Sequence, residues 1–343
     1  MKVLITGGAG YVGSVLTRNL LDRGHQVRIV DSGFFGLEHV DRRAELVAAS
    51  ILDFDAEWLQ GVHAVVHLAG LSNDPMAAFS PSLNYMLNAG GTAIVAQATK
   101  EAGIKRFVFS STCSVYGMDE NGPLDEEHDA SPPFPYAISK LMGERMLGCL
   151  TDSDFRPIVL RKGTVVGWSP RMRFDLVTNT MVKTALSHKI IAVHNPTLWR
   201  PLIDVEDAAE AYVCALDAPL EVTGVFNISH FNFTLAELAT TVASTLRNFG
   251  VEARIQTESR PDIRSYRVST EKATRVLKFV PRKSMSNTVR DIAVKLIGQP
   301  ANSFEDRRYY NIRQMEHLMA AGLLHRNGHT SASKQTIAAT IAG

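Results

Sequence analysis

The stretch that decides the fold is KVLITGGAGYVGSVL, residues 2–16. Lys2–Thr6 has the pattern of a short apolar strand, and the glycines after it lead directly into a segment with helical periodicity. One glycine permits a tight turn, one lets the backbone approach a pyrophosphate, and one lets the helix pack closely on the strand. The free N–H groups at the start of the helix then face the phosphates. We therefore predict a dinucleotide-binding loop made of Gly7, Gly10, Tyr11, Val12 and Gly13.

An acidic residue stands where a dinucleotide ribose is expected. Asp31 ends the second predicted strand, which begins at residue 26. A carboxylate at this place can accept hydrogen bonds from both ribose hydroxyls. It would also repel the 2′-phosphate of NADP, and residues 32–35 (SGFF) contain no lysine or arginine to neutralise it. The pattern predicts NAD as the cofactor, and the alternative is a solvated aspartate at a strand end.

Strand and helix patterns alternate along the first half of the chain. Residues 64–68, 107–109 and 156–161 are short runs rich in Val, Ile, Leu and Phe, as buried parallel strands usually are. Between these runs, residues 14–23 and 92–102 have apolar residues at helical spacing. This alternation predicts an α/β fold built on a doubly wound parallel sheet. After about residue 167 the alternation becomes less regular.

Composition and charge exclude several classes of protein. The chain has 343 residues, enough for about two domains, and its formal net charge is +1, which argues against nucleic-acid binding through bulk charge. Cys113, Cys149 and Cys214 show no C-x-x-C spacing, so we expect a reducing compartment without disulfides or a zinc knuckle. No signal peptide and no apolar run of about 20 residues is found, so we expect a cytoplasmic protein without a membrane partner.

A candidate catalytic cluster follows the strand that ends near residue 110. Residues 110–117 read SSTCSVYG, and residues 135–140 read PYAISK. Tyr136 and Lys140 are four residues apart and share a helical face, where an ammonium would lower the pKa of the phenol. Such a tyrosine can act as a general acid/base near neutral pH, and Thr112 could donate a hydrogen bond to the same substrate oxygen. The alternative is an ordinary surface tyrosine and lysine.

These motifs together resemble the extended short-chain dehydrogenase/reductases, and most closely their NAD-dependent nucleotide-sugar epimerases and dehydratases. The resemblance covers roughly residues 1–295. It implies a Rossmann-type domain with a smaller α/β C-terminal substrate domain. The motifs that carry it are the glycine loop, Asp31, His67-Leu68-Ala69-Gly70, Asn88 before Gly91-Thr92, SSTCSVYG and the Tyr136–Lys140 pair.

The resemblance also implies a division of the chain. Residues 1–167 and 199–228 would form the NAD-binding domain, and residues 168–198 and 229–299 the domain that binds the nucleotide sugar. Residues 300–343 would be a C-terminal extension. Its last 20 residues or so have little apolar periodicity, and we expect them to be mobile.

The resemblance also implies roles for individual residues. Tyr136 would be the base that takes the hydroxyl proton as hydride leaves a sugar carbon for NAD. Lys140 would hold the nicotinamide ribose, and Thr112 would orient the substrate hydroxyl. Asp53 would meet the adenine, and Asn88 would support the backbone on the cofactor side. The remaining implied cofactor contacts are Leu68, Ala69, Gly70 and Tyr136 itself.

Several positions match the substrate side of the family pattern. Asn179 and Arg200 correspond to residues that contact the nucleotide diphosphate, and Arg260 resembles a third but lacks the glycine that usually follows it at the second position. Arg171, with Arg173 beside it, would clasp the diphosphate or an acidic group on the substrate. For these arginines a solvated surface ion pair is the alternative. The candidate substrate-binding residues are Ser72, Thr112, Ser114, Thr164, Arg171, Asn179, Arg200 and Arg260.

Departures from the family pattern narrow the reaction. Cys113 and Ser114 stand where dehydratases of the family usually carry an acidic pair, which disfavours a dehydratase. We therefore predict a nucleotide-sugar epimerase, with an NAD(P)H-dependent reductase of a 4-keto nucleotide sugar and a non-catalytic NAD sensor as alternatives. We expect Cys113 to be a buried small side chain, and His325 and His329 not to form a metal site. A homodimer through helices 92–102 and 136–150 is implied by resemblance.

Overall fold

A computed structural model describes residues 1–259 and 265–324, and all the short apolar runs predicted above form strands. The strands are β1 Lys2–Thr6, β2 Gln26–Asp31, β3 Glu45–Ala48, β4 Ala64–His67, β5 Arg106–Thr112, β6 Asp119–Leu124, β7 Arg156–Lys162, β8 Thr164–Val166, β9 Ile190–His194, β10 Trp199–Asp204, β11 Gly224–Ile228, β12 Phe231–Thr234, β13 Arg254–Glu258 and β14 Tyr266–Val268. The α-helices are α1 Tyr11–Asp22, α2 Asp74–Phe79, α3 Pro81–Tyr85, α4 Gly91–Glu101, α5 Pro135–Leu150, α6 Val177–His188, α7 Val205–Asp217, α8 Leu235–Arg247, α9 Met285–Leu296 and α10 Asn311–Ala320.

A seven-stranded parallel sheet forms the centre of the molecule. Its strand order is β11-β7-β5-β4-β1-β2-β3. Successive strand residues face opposite sides, so Leu4 and Ile5 enter two different apolar clusters, one on each face of the sheet. Helices α1 and α7 lie together on one face, and α4 and α5 on the other. The predicted doubly wound parallel sheet is confirmed.

A second group of elements follows β7 and packs against the apolar cluster that contains Ile5. Strands β12, β10 and β8 form a three-stranded sheet, and β9 pairs with β13 in parallel. Helices α6, α8 and α9 contact one another and share the apolar cluster with α1 and α7. The proposed boundaries between the cofactor and substrate domains stay a prediction.

The C-terminal segment returns to the face of the central sheet that is covered by α4 and α5. Met315 and Leu318 of α10 join the apolar cluster that contains Leu4, and Leu324 is 2 % exposed. The described part of the extension is therefore packed. The rest of the segment that we expected to be mobile, residues 325–343, lies outside the described residues. None of the described helices is long and apolar enough to cross a membrane.

Candidate active site

A cavity of about 320 Å³ opens at the carboxyl ends of the central strands. This is the edge of a parallel sheet where ligands bind, because the connections to the helices diverge there. The predicted residues that line it are Gly7, Gly10, Tyr11, Val12, Gly13, Asp31, Leu68, Ala69, Gly70, Ser72, Thr112, Ser114, Tyr136, Lys140, Thr164 and Arg171. Residues far apart in sequence, from the cofactor loop to the catalytic cluster, thus share one cavity.

The glycine loop leaves no room for side chains. Gly7 has φ +72°, and a Cβ there would lie 2.7 Å from the backbone nitrogen of Ala69. A Cβ on Gly13 would lie 2.2 Å from the carbonyl oxygen of Gly7. Gly10 precedes helix α1 and provides no side-chain cap, so the N–H groups of the first turn stay available to an anion. The loop therefore fits a dinucleotide diphosphate.

Asp31 braces the cofactor end of the cavity. Its carboxylate accepts hydrogen bonds from the backbone N–H of Ala9 at 3.0 Å and of Gly33 at 2.9 Å. Burial raises the pKa of Asp31, and these two donors oppose that shift. Because a carboxylate oxygen can accept more than one hydrogen bond, the residue still fits the expected ribose contact.

A second part of the cavity, the tyrosine end, is lined by Tyr136 and Thr112. Tyr136 lies in the first turn of α5 after Pro135, and Thr112 ends β5. The Thr112 hydroxyl donates to Ser114 Oγ at 3.2 Å, and Ser114 Oγ lies 3.2 Å from the hydroxyl of Tyr266. These hydroxyls surround one corner of the cavity, so a substrate hydroxyl would meet several hydrogen-bond partners there.

The electrostatics of Tyr136 differ from the expectation. Burial raises the pKa of Tyr136, and Arg173 is the cation that opposes this shift, not Lys140. Burial and the neighbouring Lys162 cation together lower the pKa of Lys140 to about 7. The expected lowering of the Tyr136 pKa by Lys140 is therefore not a feature of this structure.

Lys140 lies on a closely packed floor. Its Nζ is 4.9 Å from the ring centroid of Phe109, and a Cβ on Gly70 would meet Asn88 Oδ1 at 2.2 Å. The amide nitrogen of Asn88 donates to the carbonyl oxygen of Leu71 at 2.9 Å. Asn88 is fully buried and is not among the lining residues. Asn88 therefore holds the turn after β4, whose backbone borders the cofactor cavity, by a hydrogen bond.

Sequence reasoning missed Lys162, which lines the same cavity at the end of β7. Its Nζ donates to Ser110 Oγ and, at 2.9 Å, to the hydroxyl of Tyr212. Burial lowers its pKa to about 7. A lysine at the carboxyl end of an apolar parallel strand was the signal that could have identified it. Tyr266 and Asn311 also line the cavity, and their local sequence gives no such signal.

Besides Asn88, three predicted residues are not among the lining residues of the described chain: Asp53, Arg200 and Asn179. Asp53 is exposed at the end of a short 3₁₀ turn, Ile51–Asp53, and residues 49–51 line the cavity instead. Arg200 donates to the carbonyl oxygen of Trp199 at 3.0 Å, and its charge acts on the lining residue Tyr266. A fourth predicted residue, Arg260, lies outside the described residues.

Asn179 has a structural task. The side chain is fully buried, and its Oδ1 accepts a hydrogen bond from the N–H of Gly167 at 3.0 Å. Its Nδ2 donates to the hydroxyl of Tyr11 at 3.1 Å and to the carbonyl oxygen of Arg173 at 2.9 Å. The amide that we expected on a diphosphate instead holds the loop before α6 against the cofactor helix.

Each of the three guanidinium nitrogens of Arg173 has a hydrogen-bond partner. Its Nε and Nη2 donate to the carboxylate of Asp175 at 2.9 and 2.6 Å, and its Nη1 donates to Ser72 Oγ at 2.8 Å. Such a forked pair fixes the plane of a guanidinium. Arg173 therefore lies at a defined position between Ser72 and the tyrosine end of the cavity.

Cys113 has the environment of a structural thiol. It is fully buried, its Sγ donates to the carbonyl oxygen of Arg161 at 3.0 Å, and burial raises its pKa. Beneath it, Arg161 and Glu144 form a buried ion pair with Nη2 and Oε2 2.6 Å apart. His325 and His329 lie outside the described residues.

Comparisons with known proteins agree with this geometry. The model of the NAD dependent epimerase/dehydratase family matches residues 3–229. UDP-glucose 4-epimerase of Bacillus subtilis (strain 168) is 29% identical over 254 residues, 65% of this chain and 75% of that protein. UDP-glucose 4-epimerase of Azospirillum brasilense is 32% identical over 240 residues, 63% of this chain and 68% of that protein.

Solved structures show the same fold over most of the chain. A UDP-glucose-4-epimerase from Stenotrophomonas maltophila with bound NAD and formylated UDP-arabinopyranose has a TM-score of 0.77 at 26% identity. The alignment covers 86% of this chain and 97% of that one. A UDP-glucose 4-epimerase from Thermus thermophilus in complex with NAD has a TM-score of 0.77 at 24% identity, covering 88% and 100% of the two chains.

Proposed function

Because the chain belongs to the NAD-dependent epimerase/dehydratase family, we propose that it is a nucleotide-sugar epimerase that retains NAD between turnovers. The relatives named above act on UDP-sugars, and we extend that substrate class, a nucleoside diphosphate sugar, to this enzyme. The observation that carries the proposal is the single cavity that contains both the glycine loop and the Thr112–Tyr136 corner. It gives a dinucleotide and a sugar hydroxyl a common site.

The cavity fits NAD at both ends. The glycine loop with the N-terminus of α1 would hold the diphosphate, and Asp31 would hold the adenosine ribose. Leu68 to Gly70 and Lys140 would lie along the nicotinamide half. When bound there, NAD supplies a hydride acceptor that later returns the hydride, so the reaction needs no net oxidant.

The chain's own residues would move the proton. Thr112 and Ser114 would orient a sugar hydroxyl, and Tyr136 would take its proton as the carbon is oxidised to a ketone. The positive charge of Arg173 favours this step, whereas burial and the negative charge of Asp74 hold the pKa of the phenol high. Since burial favours the protonated phenol, Tyr136 is also suited to give the proton back when the keto sugar is reduced on its other face.

Elimination of water is disfavoured by the same corner. Cys113 is buried and donates to a backbone carbonyl, and Ser114 is a neutral hydroxyl. Neither position supplies the acid and base that a dehydratase of this family would place there. This supports inversion of a carbinol centre over dehydration.

Substrate contacts are proposed at the tyrosine end. Thr164 and Tyr266 line the cavity, as does Ser72, which accepts hydrogen bonds from both Arg173 and Asn311 and so lies between this end and the cofactor end. Arg200 lies on β10, and its positive charge lowers the pKa of Tyr266. We propose it as an outer contact for the diphosphate of the sugar nucleotide. The base, the sugar and the carbon atom that is inverted are left to a substrate screen.

The first experiment identifies the bound cofactor. The purified protein is denatured, and the released nicotinamide nucleotide is identified and counted by chromatography. We expect NAD or NADH near one equivalent per chain, followed by interconversion of an unoxidised nucleotide sugar. A cavity that arrives empty, takes up NADPH reversibly and reduces a 4-keto nucleotide sugar would overturn the epimerase in favour of the reductase.

We also propose that the protein is a homodimer through α4 and α5. Ile94 of α4 is 38% exposed and Met142 of α5 is 43% exposed, which supports an interface on this face. Light scattering at micromolar concentration should give the mass of two chains. The Met142→Lys variant should shift the protein to monomer, whereas Val294→Lys, on the exposed side of α9, should not.

A further inference from the structure

We infer that Arg171 binds the diphosphate of the cofactor, across from the N-terminus of α1, and that Asn311 of the C-terminal helix holds it in place. This inference rests on the NAD site proposed above. It assigns Arg171 to the cofactor, whereas the sequence analysis assigned it to the substrate. It also makes α10, which lies beyond the part of the chain that matches the family model, a component of the cofactor site.

Arg171 is a buried cation that has no carboxylate partner in the described part of the chain. The residue is 4 % exposed, and its Cζ lies 4.1 Å from the ring centroid of Phe35. Its Nη2 donates to Asn311 Oδ1 at 2.5 Å, whereas its Nε has no hydrogen-bond partner among the described residues. Arg173, two positions along the loop, is paired with Asp175. Burying a charge without a counter-ion costs free energy. An anion from outside the chain that binds Arg171 would offset this cost.

The electrostatic surroundings agree with that requirement. Burial and the neighbouring Arg173 cation both lower the pKa of Arg171, to about 9. Asp31, Asp175 and Tyr11 act in the opposite direction from a distance. This direction is that of a guanidinium to which no anion is directly bound. A diphosphate beside it would add two negative charges and several acceptor oxygens.

The position of Arg171 selects the cofactor as the source of that diphosphate. Phe35 lies in the loop that follows β2, and Tyr11 is the first residue of α1, whose first-turn N–H groups carry no side-chain cap. Both belong to the dinucleotide end of the cavity. Tyr266, which marks the substrate end, is not among the groups that act most strongly on the charge of Arg171. The guanidinium and the N-terminus of α1 line the same cavity.

Asn311 ties this arrangement to the C-terminal helix. It is 4 % exposed, and its Nδ2 donates to Ser72 Oγ at 3.3 Å while its Oδ1 accepts from Arg171. One turn farther on, Gln314 Nε2 donates to the carbonyl oxygen of Phe34 at 2.7 Å. Helix α10 is thus joined to both loops that border the cofactor end. A neutral amide can orient the guanidinium without neutralising it.

The test measures binding rather than turnover. The wild type, Arg171→Met and Asn311→Ala are freed of cofactor, and NAD, adenosine and UDP are titrated separately by calorimetry. We expect Arg171→Met to weaken NAD binding by about 10- to 100-fold and Asn311→Ala by a smaller factor, because a charged hydrogen bond is lost or misaligned. Binding of adenosine, which has no diphosphate, and of UDP should be unchanged.

A matched control lies on the same helix. Arg313 is exposed and pairs with Glu305, so Arg313→Met removes a cation from α10 without touching the cavity. It should bind NAD as the wild type does. If Arg171→Met does not fold, Arg171→Lys keeps the charge but loses the planar fork, and it should still weaken NAD binding by about 3- to 10-fold.

The outcomes are distinguishable. Unchanged NAD affinity in both Arg171 variants would overturn this inference and leave the NAD site itself intact. Weaker UDP binding with unchanged NAD binding would return Arg171 to the substrate diphosphate and overturn it as well. A wild type that binds no NAD at all would contradict the proposed function first.

Discussion

The hydroxyl of Tyr11 donates a hydrogen bond of 2.6 Å to the carbonyl oxygen of Gly167. Tyr11 begins the cofactor helix, and Gly167 begins the loop that leads to α6, so the bond joins the two sides of the cavity. Asn179 donates to the same hydroxyl and accepts from Gly167, which closes a buried ring of three residues. Ser14 and Ser169 add a second link at 3.0 Å. The substrate loop therefore has a fixed position relative to the dinucleotide.

Removing that hydroxyl should destabilise the fold. Tyr11→Phe leaves a buried carbonyl and a buried amide N–H without their partner, and we expect a loss of about 1–3 kcal/mol in the free energy of unfolding. Denaturant unfolding measures it. Because Tyr11 and Asn179 share one network, Tyr11→Phe and Asn179→Ala should couple in a double-mutant cycle, and strictly additive losses would contradict the shared ring.

Replacement of the proposed base should abolish most turnover. Tyr136→Phe removes the group that exchanges the proton, and we expect the epimerisation rate to fall at least about 100-fold with bound NAD unchanged. Tyr309→Phe, which alters a tyrosine outside the cavity lining, is the control. A Tyr136→Phe enzyme with the wild-type rate would show that another residue is the base.

Lys162 should set the pH range in which Lys140 is charged. Its cation lowers the pKa of Lys140, so Lys162→Met should raise that pKa. If charged Lys140 supports turnover, activity falls as pH rises through its pKa, and the alkaline limb of the rate profile should move to higher pH by roughly half a unit to one unit. The exposed Lys295→Met variant should leave the limb in place. A shift to lower pH would contradict this coupling.

Asp204 should make stability depend on pH between 4 and 7. It caps α7 through the N–H of Glu206 at 2.8 Å and accepts from the Thr288 hydroxyl at 2.7 Å, and burial raises its pKa to about 6. A raised carboxyl pKa stabilises the folded protein below the unfolded value of 3.8, and that contribution is lost as pH rises through about 6. An asparagine at this position does not titrate, so the stability of that variant does not fall in this way as pH rises.

The free energy of unfolding of Asp204→Asn should therefore improve relative to the wild type as pH rises from 4 to 7. We expect a change on the order of 2 kcal/mol, from urea unfolding at several pH values. Asp22→Asn removes an exposed carboxylate and serves as the matched control. A difference between Asp204→Asn and the wild type that is constant over this range would contradict the raised pKa.

Local patterns were sufficient for much of the fold. The glycine spacing of residues 7–13 and the apolar strand runs predicted the doubly wound sheet, and the family and NAD were predicted from motifs whose meaning lies within a few residues. The strand ends also predicted which residues would gather, because a parallel sheet brings its carboxyl ends to one edge. Gly7, Asp31 and Thr112 line one cavity for that reason.

The sequence by itself thus determined the sheet, the cofactor class and the residues at the strand ends, since backbone geometry and side-chain periodicity encode these locally. Only the tertiary structure decided which side chains meet across the cavity. Arg171 and Asn311 are 140 positions apart, and Tyr11 and Gly167 are 156 apart, so nothing in either neighbourhood predicts the contact. Burial, another property of the packed chain, raised the pKa of Tyr136 where the helical spacing of Lys140 had predicted a lowered one.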